Sequence, residues 1–169
     1  GEDFARNTAA VIGDSTFIHS GITGLIDAVY NGGTTTVIIL DNSTTGMTGH
    51  QQHPATGYDI KGAAAPKLNL EVLCRAVGVR RVRVEDPYDL ESFERAVTEE
   101  LAAKEPSVII ARRICALLDK TRHPVYIVDD TCIGCGICVE LGCPAIIDGE
   151  KATIDETICS GCGLCAKVC

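Results

Sequence analysis

The chain has 169 residues, 46% of them hydrophobic, with four Tyr, three Phe and no Trp. That is enough for one ordinary core and a small appendage, and no run approaches the roughly 20 apolar residues of a membrane span. No apolar signal segment opens the chain, and a net charge of −8 argues against nucleic acid as a partner.

The first 118 residues read as alternating strands and helices. Thr8–Ile12 is a short apolar strand ending at Gly13. From Ile18 to Tyr30, Ile22, Leu25, Ile26 and Val29 recur at helical spacing, and Asn31-Gly32-Gly33 stops the helix. Thr34–Leu40 is β-branched and almost wholly apolar, as in a strand buried on both faces. A polar loop rich in Gly and Thr runs from Asp41 to about Lys67. Leu68–Val77 is expected to be helical, with Gly78 as its stop, and Arg80–Val84 alternates like a strand. Asp89 then caps a helix over Leu90–Lys104, and Ser107–Ala111 is the next strand. Arg112–His123 is mixed and basic, a linker, and Pro124 precedes a second domain. This order predicts an α/β domain over residues 1–118, with a parallel sheet covered by helices on both faces, and a smaller α+β domain over 119–169.

Eight of the ten cysteines fall in the last 38 residues. They form two runs, Cys132-x2-Cys135-x2-Cys138-x4-Cys143-Pro144 and Cys159-x2-Cys162-x2-Cys165-x3-Cys169. Three thiolates spaced two residues apart grip one cubic iron–sulfur cluster, and the fourth of each run reaches to the other cluster. Cys132, Cys135, Cys138 and Cys169 are therefore assigned to one [4Fe–4S] cluster, and Cys143, Cys159, Cys162 and Cys165 to the second. A zinc ribbon usually offers two C-x2-C pairs rather than two triplets, and two disulfide loops, the other alternative, fit poorly with only Cys74 and Cys115 in the remaining 131 residues. Ala145-Ile146-Ile147 and Ala152-Thr153-Ile154 flank Asp148-Gly149-Glu150 as a small hairpin. Gly134, Gly136, Gly161 and Gly163 let backbone N–H groups turn toward sulfur. Thiolate-ligated clusters point to a reducing cytoplasm. From Tyr126 onward seven acids face two lysines, which suits docking to a basic redox partner or simple solubility. This region, about residues 126–169, resembles the two-cluster bacterial ferredoxins, although that family normally continues past its last cysteine and this chain stops at Cys169. The two runs repeat at about 27 residues, as in duplicated ferredoxins.

A long loop inside a compact domain needs a reason, and this one begins where α/β sheets place their ligands. Gly13-Asp14-Ser15 ends the first strand, and Asp41-Asn42-Ser43-Thr44 ends the next. A carboxylate, an amide oxygen and backbone N–H groups around one point suit Mg²⁺ bridged to a diphosphate. The pattern resembles the thiamine diphosphate motif, Gly-Asp-Gly followed by Asn, with Ser15 in place of the second glycine. Thr45-Gly46-Met47-Thr48-Gly49-His50-Gln51 resembles the TGMTG-x-Q stretch of the 2-oxoacid:ferredoxin oxidoreductases. Carried over, the resemblance implies that Asp14 and Asn42 bind Mg²⁺ by side chain and Thr44 by its carbonyl. Gly13, Ser15 and Gly46 would lie against the diphosphate, and Met47 and Thr48 near the cofactor. His50 and His53 on the loop are better acid–base candidates than His19, though none is assigned a role; no catalytic residue is named. Cys74 and Cys115 read as core residues.

A thiamine-binding domain followed by two clusters resembles the α subunits of the indolepyruvate ferredoxin oxidoreductase family, over essentially the whole chain. The resemblance implies oxidative decarboxylation of a 2-oxoacid, such as an arylpyruvate, to the acyl-CoA. Electrons would pass through the clusters to ferredoxin, with coenzyme A as co-substrate and a β subunit as partner. It also implies further segments before Gly1-Glu2-Asp3-Phe4, including the domain that donates the activating glutamate. A non-oxidative thiamine-dependent decarboxylase with structural clusters, and an electron carrier with an α/β docking domain, are the alternatives.

Overall fold

The computed structural model describes residues 8–121 and 123–169; the opening Gly1-Glu2-Asp3-Phe4 lies outside them. The chain divides into two compact units, Gly1–Cys115 and Ala116–Cys169.

The first unit is built on a four-stranded sheet in the order β1-β2-β4-β3, with every neighbouring pair parallel. The strands are β1 (Ala9–Gly13), β2 (Thr36–Asp41), β3 (Arg81–Glu85) and β4 (Ser107–Arg112). Residues alternate between the two faces along each strand. Val37, Ile39, Val108 and Ile110 join Phe17, Leu25, Leu70 and Cys74 in the larger core. Ile38, Ile109 and Ala111 meet Phe93, Ala96 and Val97 on the other face. The first set belongs to the helices that follow β1 and β2, the second to α4 (Leu90–Leu101). The expected sheet with helices on both faces is therefore present.

The helix after β1 starts earlier than the spacing of Ile22, Leu25 and Val29 suggests. It runs from α1 (Asp14–Thr16) through a π turn, Phe17–Gly21, into α2 (Ile22–Tyr30). At Gly21 a Cβ would collide with the Ile12 side chain, so helix and strand approach most closely at a residue without one. α3 (Leu70–Ala76) is shorter than expected and is capped by Asn69, whose side chain accepts the Val72 N–H at 3.0 Å. Gly78 follows in the left-handed conformation, φ 102°. Asp89 caps α4 as expected, accepting from Ser92 at 3.4 Å, though the helix ends at Leu101.

One expectation fails at the sheet's first edge: Leu40 belongs to a strand expected to be buried on both faces, yet it is exposed. Val11 on β1 is exposed as well. On this face α4 covers β3, β4 and Ile38 of β2, and among the described residues no helix covers Val11 or Leu40. On β3, Arg81 and Arg83 turn to the α4 side. Arg81 grips the buried Glu100 through two bonds of 2.7 and 3.0 Å, and Arg83 reaches Glu99 at 2.5 Å.

The second unit has little regular structure. β5 (Ile146–Ile147) and β6 (Thr153–Ile154) pair antiparallel, Ile146 opposite Ile154, and α5 (Leu164–Val168) carries Cys165. The hairpin thus stands where the flanked turn at Asp148-Gly149-Glu150 predicts it. Among the described residues no helix is long and apolar enough to cross a membrane.

Candidate cofactor and cluster sites

β1 and β2 lie side by side with Gly13 in register with Leu40, so Asp14 and the loop after Asp41 emerge together at the sheet's carboxyl edge. Asp14 is buried at 2% exposure. Its Oδ1 accepts the Ser15 N–H at 2.7 Å and its Oδ2 accepts the Ser43 N–H at 3.1 Å. Among the described residues Ser43 is one of two non-glycine residues with positive φ, at 60°. That conformation is uncommon for serine and turns its N–H onto both Asp14 and Asp41. Ser15 adds a second tie: its Oγ accepts the Thr45 hydroxyl at 3.0 Å.

Burial pushes the Asp14 carboxyl above the ordinary carboxylate range, with the Ser15 N–H and His53 pulling the other way. Asp41, also buried, raises it further, but Asp41 is itself neutralised by Arg112 at 2.7 Å, which in turn reaches Glu71 at 3.0 Å. A carboxylate held in low-polarity surroundings without its own salt-bridging Lys or Arg suits a cation ligand. Gly13 completes the fit for a diphosphate, because a Cβ there would meet nothing within 4 Å.

The other expected residues are spread around this point. Thr44 is buried, and its N–H bonds to the Asn42 side-chain oxygen at 3.1 Å. Gly46, Met47 and Thr48 form a 3-10 turn that closes at Gly49. Met47 is wholly exposed there, and Thr48 is tied to Gln51 rather than to Asp14. The loop is ordered by its own bonds, Thr45 pairing with Gln51 and Tyr58 with Ala64, and by Ala55 in the core. His19 is exposed, with Nδ1 2.7 Å from the Ser15 carbonyl oxygen. His53 is buried beside Asp14, its Nε2 3.3 Å from Oδ2. The sequence gives Asp41 and Ser43 no role beyond their place in Asp41-Asn42-Ser43-Thr44, and Arg112 reads there only as the start of a linker.

Cys74 is fully buried in α3, and burial pushes its thiol up to about 11. Cys115 is not the core residue expected. It is half-buried, its Sγ lies 3.9 Å from His50 Nε2, and its N–H donates to the Asn42 carbonyl at 3.1 Å.

In the second unit Cys132, Cys135, Cys138 and Cys169, the first expected ligand set, line one cavity of about 550 Å³, together with Cys165. Its apolar wall includes Ile146, Ala152 and Ile154 of the hairpin region. Both triplets are entered alike: Cys132 N–H bonds to the Asp129 carbonyl at 3.2 Å and Cys159 N–H to the Asp155 carbonyl at 3.0 Å. Thr131 and Thr157 hold the Asp129 and Asp155 carboxyls below the usual range. Gly134, Gly136, Gly161 and Gly163 all have φ between 69° and 77°. Gly161 turns its N–H onto Cys159 Sγ at 3.4 Å. All ten cysteines are free. Among the described residues no three His, Cys, Asp or Glu converge as a single-ion site. In a cubane each thiolate binds a different iron, so its ligands stand apart around a cavity.

A parallel α/β sheet with buried acidic groups and a glycine-opened edge at its strand ends defines a cofactor-binding domain of the α/β class. The family described as "Thiamine pyrophosphate enzyme, C-terminal TPP binding domain" matches residues 2–111, and the chain belongs to it. Over 95% of its length it is 45% identical to "Indolepyruvate oxidoreductase subunit IorA" of Archaeoglobus fulgidus, covering 27% of that protein. It is 40% identical to the same-named subunit of Thermococcus kodakarensis, again over 95% of the chain and 26% of the relative. The chain thus spans about a quarter of the length of the curated relatives it matches. In fold it is similar to a 2-oxoglutarate:ferredoxin oxidoreductase from Magnetococcus marinus, with TM-score 0.54 and 14% identity, over 94% of this chain and 60% of that one.

Proposed function

We propose that this chain is the diphosphate-binding and electron-carrying part of a 2-oxoacid:ferredoxin oxidoreductase acting on an arylpyruvate such as indolepyruvate. The observation that carries the reading is Asp14, a buried carboxylate that pairs with no Lys or Arg among the described residues, where β1 and β2 end side by side. Asp14 and Asn42 would hold Mg²⁺ by side chain and Thr44 by its carbonyl, with Gly13, Ser15 and Gly46 against the diphosphate and Met47 and Thr48 near the cofactor. When bound, the thiamine cofactor supplies the electron sink for decarboxylation and the clusters carry electrons away singly.

The chain's own residues bind and orient. Ser43 N–H and Ser15 N–H fix the Asp14 carboxylate, and the Ser15–Thr45 bond fixes the loop above it. Arg112 cancels the charge of Asp41, so that one carboxylate, not two, faces the cation. Cys132, Cys135, Cys138 and Cys169 would take one [4Fe–4S] cluster; the shared cavity supports that set. Cys143, Cys159, Cys162 and Cys165 would take the other, with the Gly161 N–H on Cys159 as the kind of bond that tunes its potential. The substrate preference and the β-subunit, ferredoxin and coenzyme A partners rest on the names of the relatives. Domain limits at 1–118 and 119–169 and a cytoplasmic site of action belong to the same reading.

The test uses the complete subunit with its partner, loaded with thiamine diphosphate, Mg²⁺ and iron. Indolepyruvate with coenzyme A should reduce ferredoxin or a viologen dye. Loss of CO₂ without dye reduction would make the enzyme a non-oxidative decarboxylase, and absence of thiamine diphosphate binding would leave an electron carrier.

A further inference from the structure

We propose that His53 is a positioning residue for Asp14, an imidazole that holds the carboxylate in place for its cation. The inference rests on the reading of Asp14 as the Mg²⁺ ligand. His53 is 4% exposed, and its neighbours fix which ring nitrogen carries the proton. Nδ1 accepts the Ala55 N–H at 3.3 Å. An accepting ring nitrogen is unprotonated, so in the neutral ring the proton sits on Nε2. Nε2 lies 3.3 Å from Asp14 Oδ2, and among the described residues it has no aligned hydrogen-bond partner. A buried N–H at ion-pair distance from one carboxylate, and short of full alignment with it, has a single acceptor within reach.

The mounting of the ring is rigid. Thr56 donates both its N–H and its hydroxyl to the His53 carbonyl, each at 2.9 Å. Ala55, the next residue but one, packs in the larger core, and Pro54 restricts the backbone of His53 to extended forms. The loop therefore presents Nε2 from a turn anchored to the core.

A carboxylate offers about four acceptor positions. The Ser15 and Ser43 N–H groups take one on each oxygen of Asp14. A small rotation into alignment would make the His53 N–H the third donor, on Oδ2, which leaves one position for a cation. Ligating carboxylates are commonly hydrogen-bonded from behind in this way, and losing such a partner weakens metal affinity about 10- to 100-fold.

Two substitutions separate positioning from packing. His53→Gln keeps an N–H donor at the outer position and gives up the Nδ1 acceptor. His53→Asn keeps an acceptor for the Ala55 N–H and cannot reach Asp14. Mg²⁺ is titrated calorimetrically into the full-length subunit saturated with thiamine diphosphate, and the apo unfolding midpoint is measured alongside. The expected result is Mg²⁺ affinity about 10-fold weaker in the Asn variant and near wild type in the Gln variant, with the Asn apo midpoint no lower than the Gln one. Wild-type affinity in the Asn variant, or equal losses in both, would overturn the positioning role alone. A wild type that binds no Mg²⁺ with thiamine diphosphate would overturn this inference together with the reading it rests on.

Discussion

The Ser43 N–H reaches the Asp14 carboxylate at 3.1 Å across 29 residues of chain, joining the end of β1 to the loop that follows β2. Because the bond ends on the proposed metal ligand, Asp14→Ala removes both the tie and the charge. The complete subunit carrying Asp14→Ala should lose thiamine diphosphate and Mg²⁺ binding by calorimetry while retaining about eight irons per chain. Retained cofactor binding would exclude Asp14 as a ligand.

The same carboxylate predicts an inverted pH response. Its folded-state pKa is raised, chiefly by burial. A raised carboxyl pKa contributes stability that is full below the unfolded value, near 4, and is lost as pH rises through the folded value. In chelator, the stability advantage of wild type over Asp14→Ala should therefore shrink from about pH 4 toward neutrality. Saturating Mg²⁺ and thiamine diphosphate should reverse that trend, since they bind the ionised form. Parallel urea titrations across pH, with and without ligands, read both slopes.

Arg81 and Glu100 form an asymmetric pair: Glu100 is buried and Arg81 is 40% exposed by side chain. Removing Arg81 leaves a buried carboxylate whose one remaining cation among the described residues is Arg83 at 3.6 Å, whereas removing Glu100 leaves a guanidinium that water can reach. Arg81→Ala should cost about 3 kcal/mol and Glu100→Ala about half that, in urea unfolding of the apo protein. Equal costs would mean that Glu100 finds other partners.

Gly134 has φ 69°, and a Cβ on it would collide with the Glu150 carbonyl oxygen. Gly134→Ala should disturb the loop that carries Cys132 and Cys135. Iron should fall from about eight toward about four per chain, with thiamine diphosphate binding unchanged. Full iron content would show that the loop yields without losing its ligands.

Cys74 should resist alkylation by iodoacetamide in the native protein, because burial holds its thiol near 11 and leaves no exposed sulfur. Cys115 should label before it. Mass mapping after timed exposure, with Cys74 labelled only on unfolding, checks the order.

The sheet was legible because its strands are β-branched runs between glycine and Asp/Asn stops, and the hairpin because two apolar triplets flank Asp148-Gly149-Glu150. Local patterning says little about coverage, so Leu40 reads as buried although no described helix covers it. The helix start at Asp14 was hidden because the π turn breaks the spacing from which α2 was read. Within the candidate site, Asp14, Asn42 and Thr44 stood out through their motif. His53 stood out only as a loop histidine without a role, because its partnership with Asp14 spans 39 residues and depends on how the loop folds over. Cys115 was misread for a similar reason: its backbone bond to Asn42 extends the sheet edge past β4.

The π turn at Phe17–Gly21 separates two jobs along one helix. Leu25, on α2, is set by the core, while Asp14 and Ser15, ahead of the turn, are set by the site. Each residue added or removed within the turn rotates the first turn by about 100° relative to the packed stretch. Because Phe17 in that turn is fully buried and Gly21 lies against Ile12, a change of length there would shift the cofactor site and the core together.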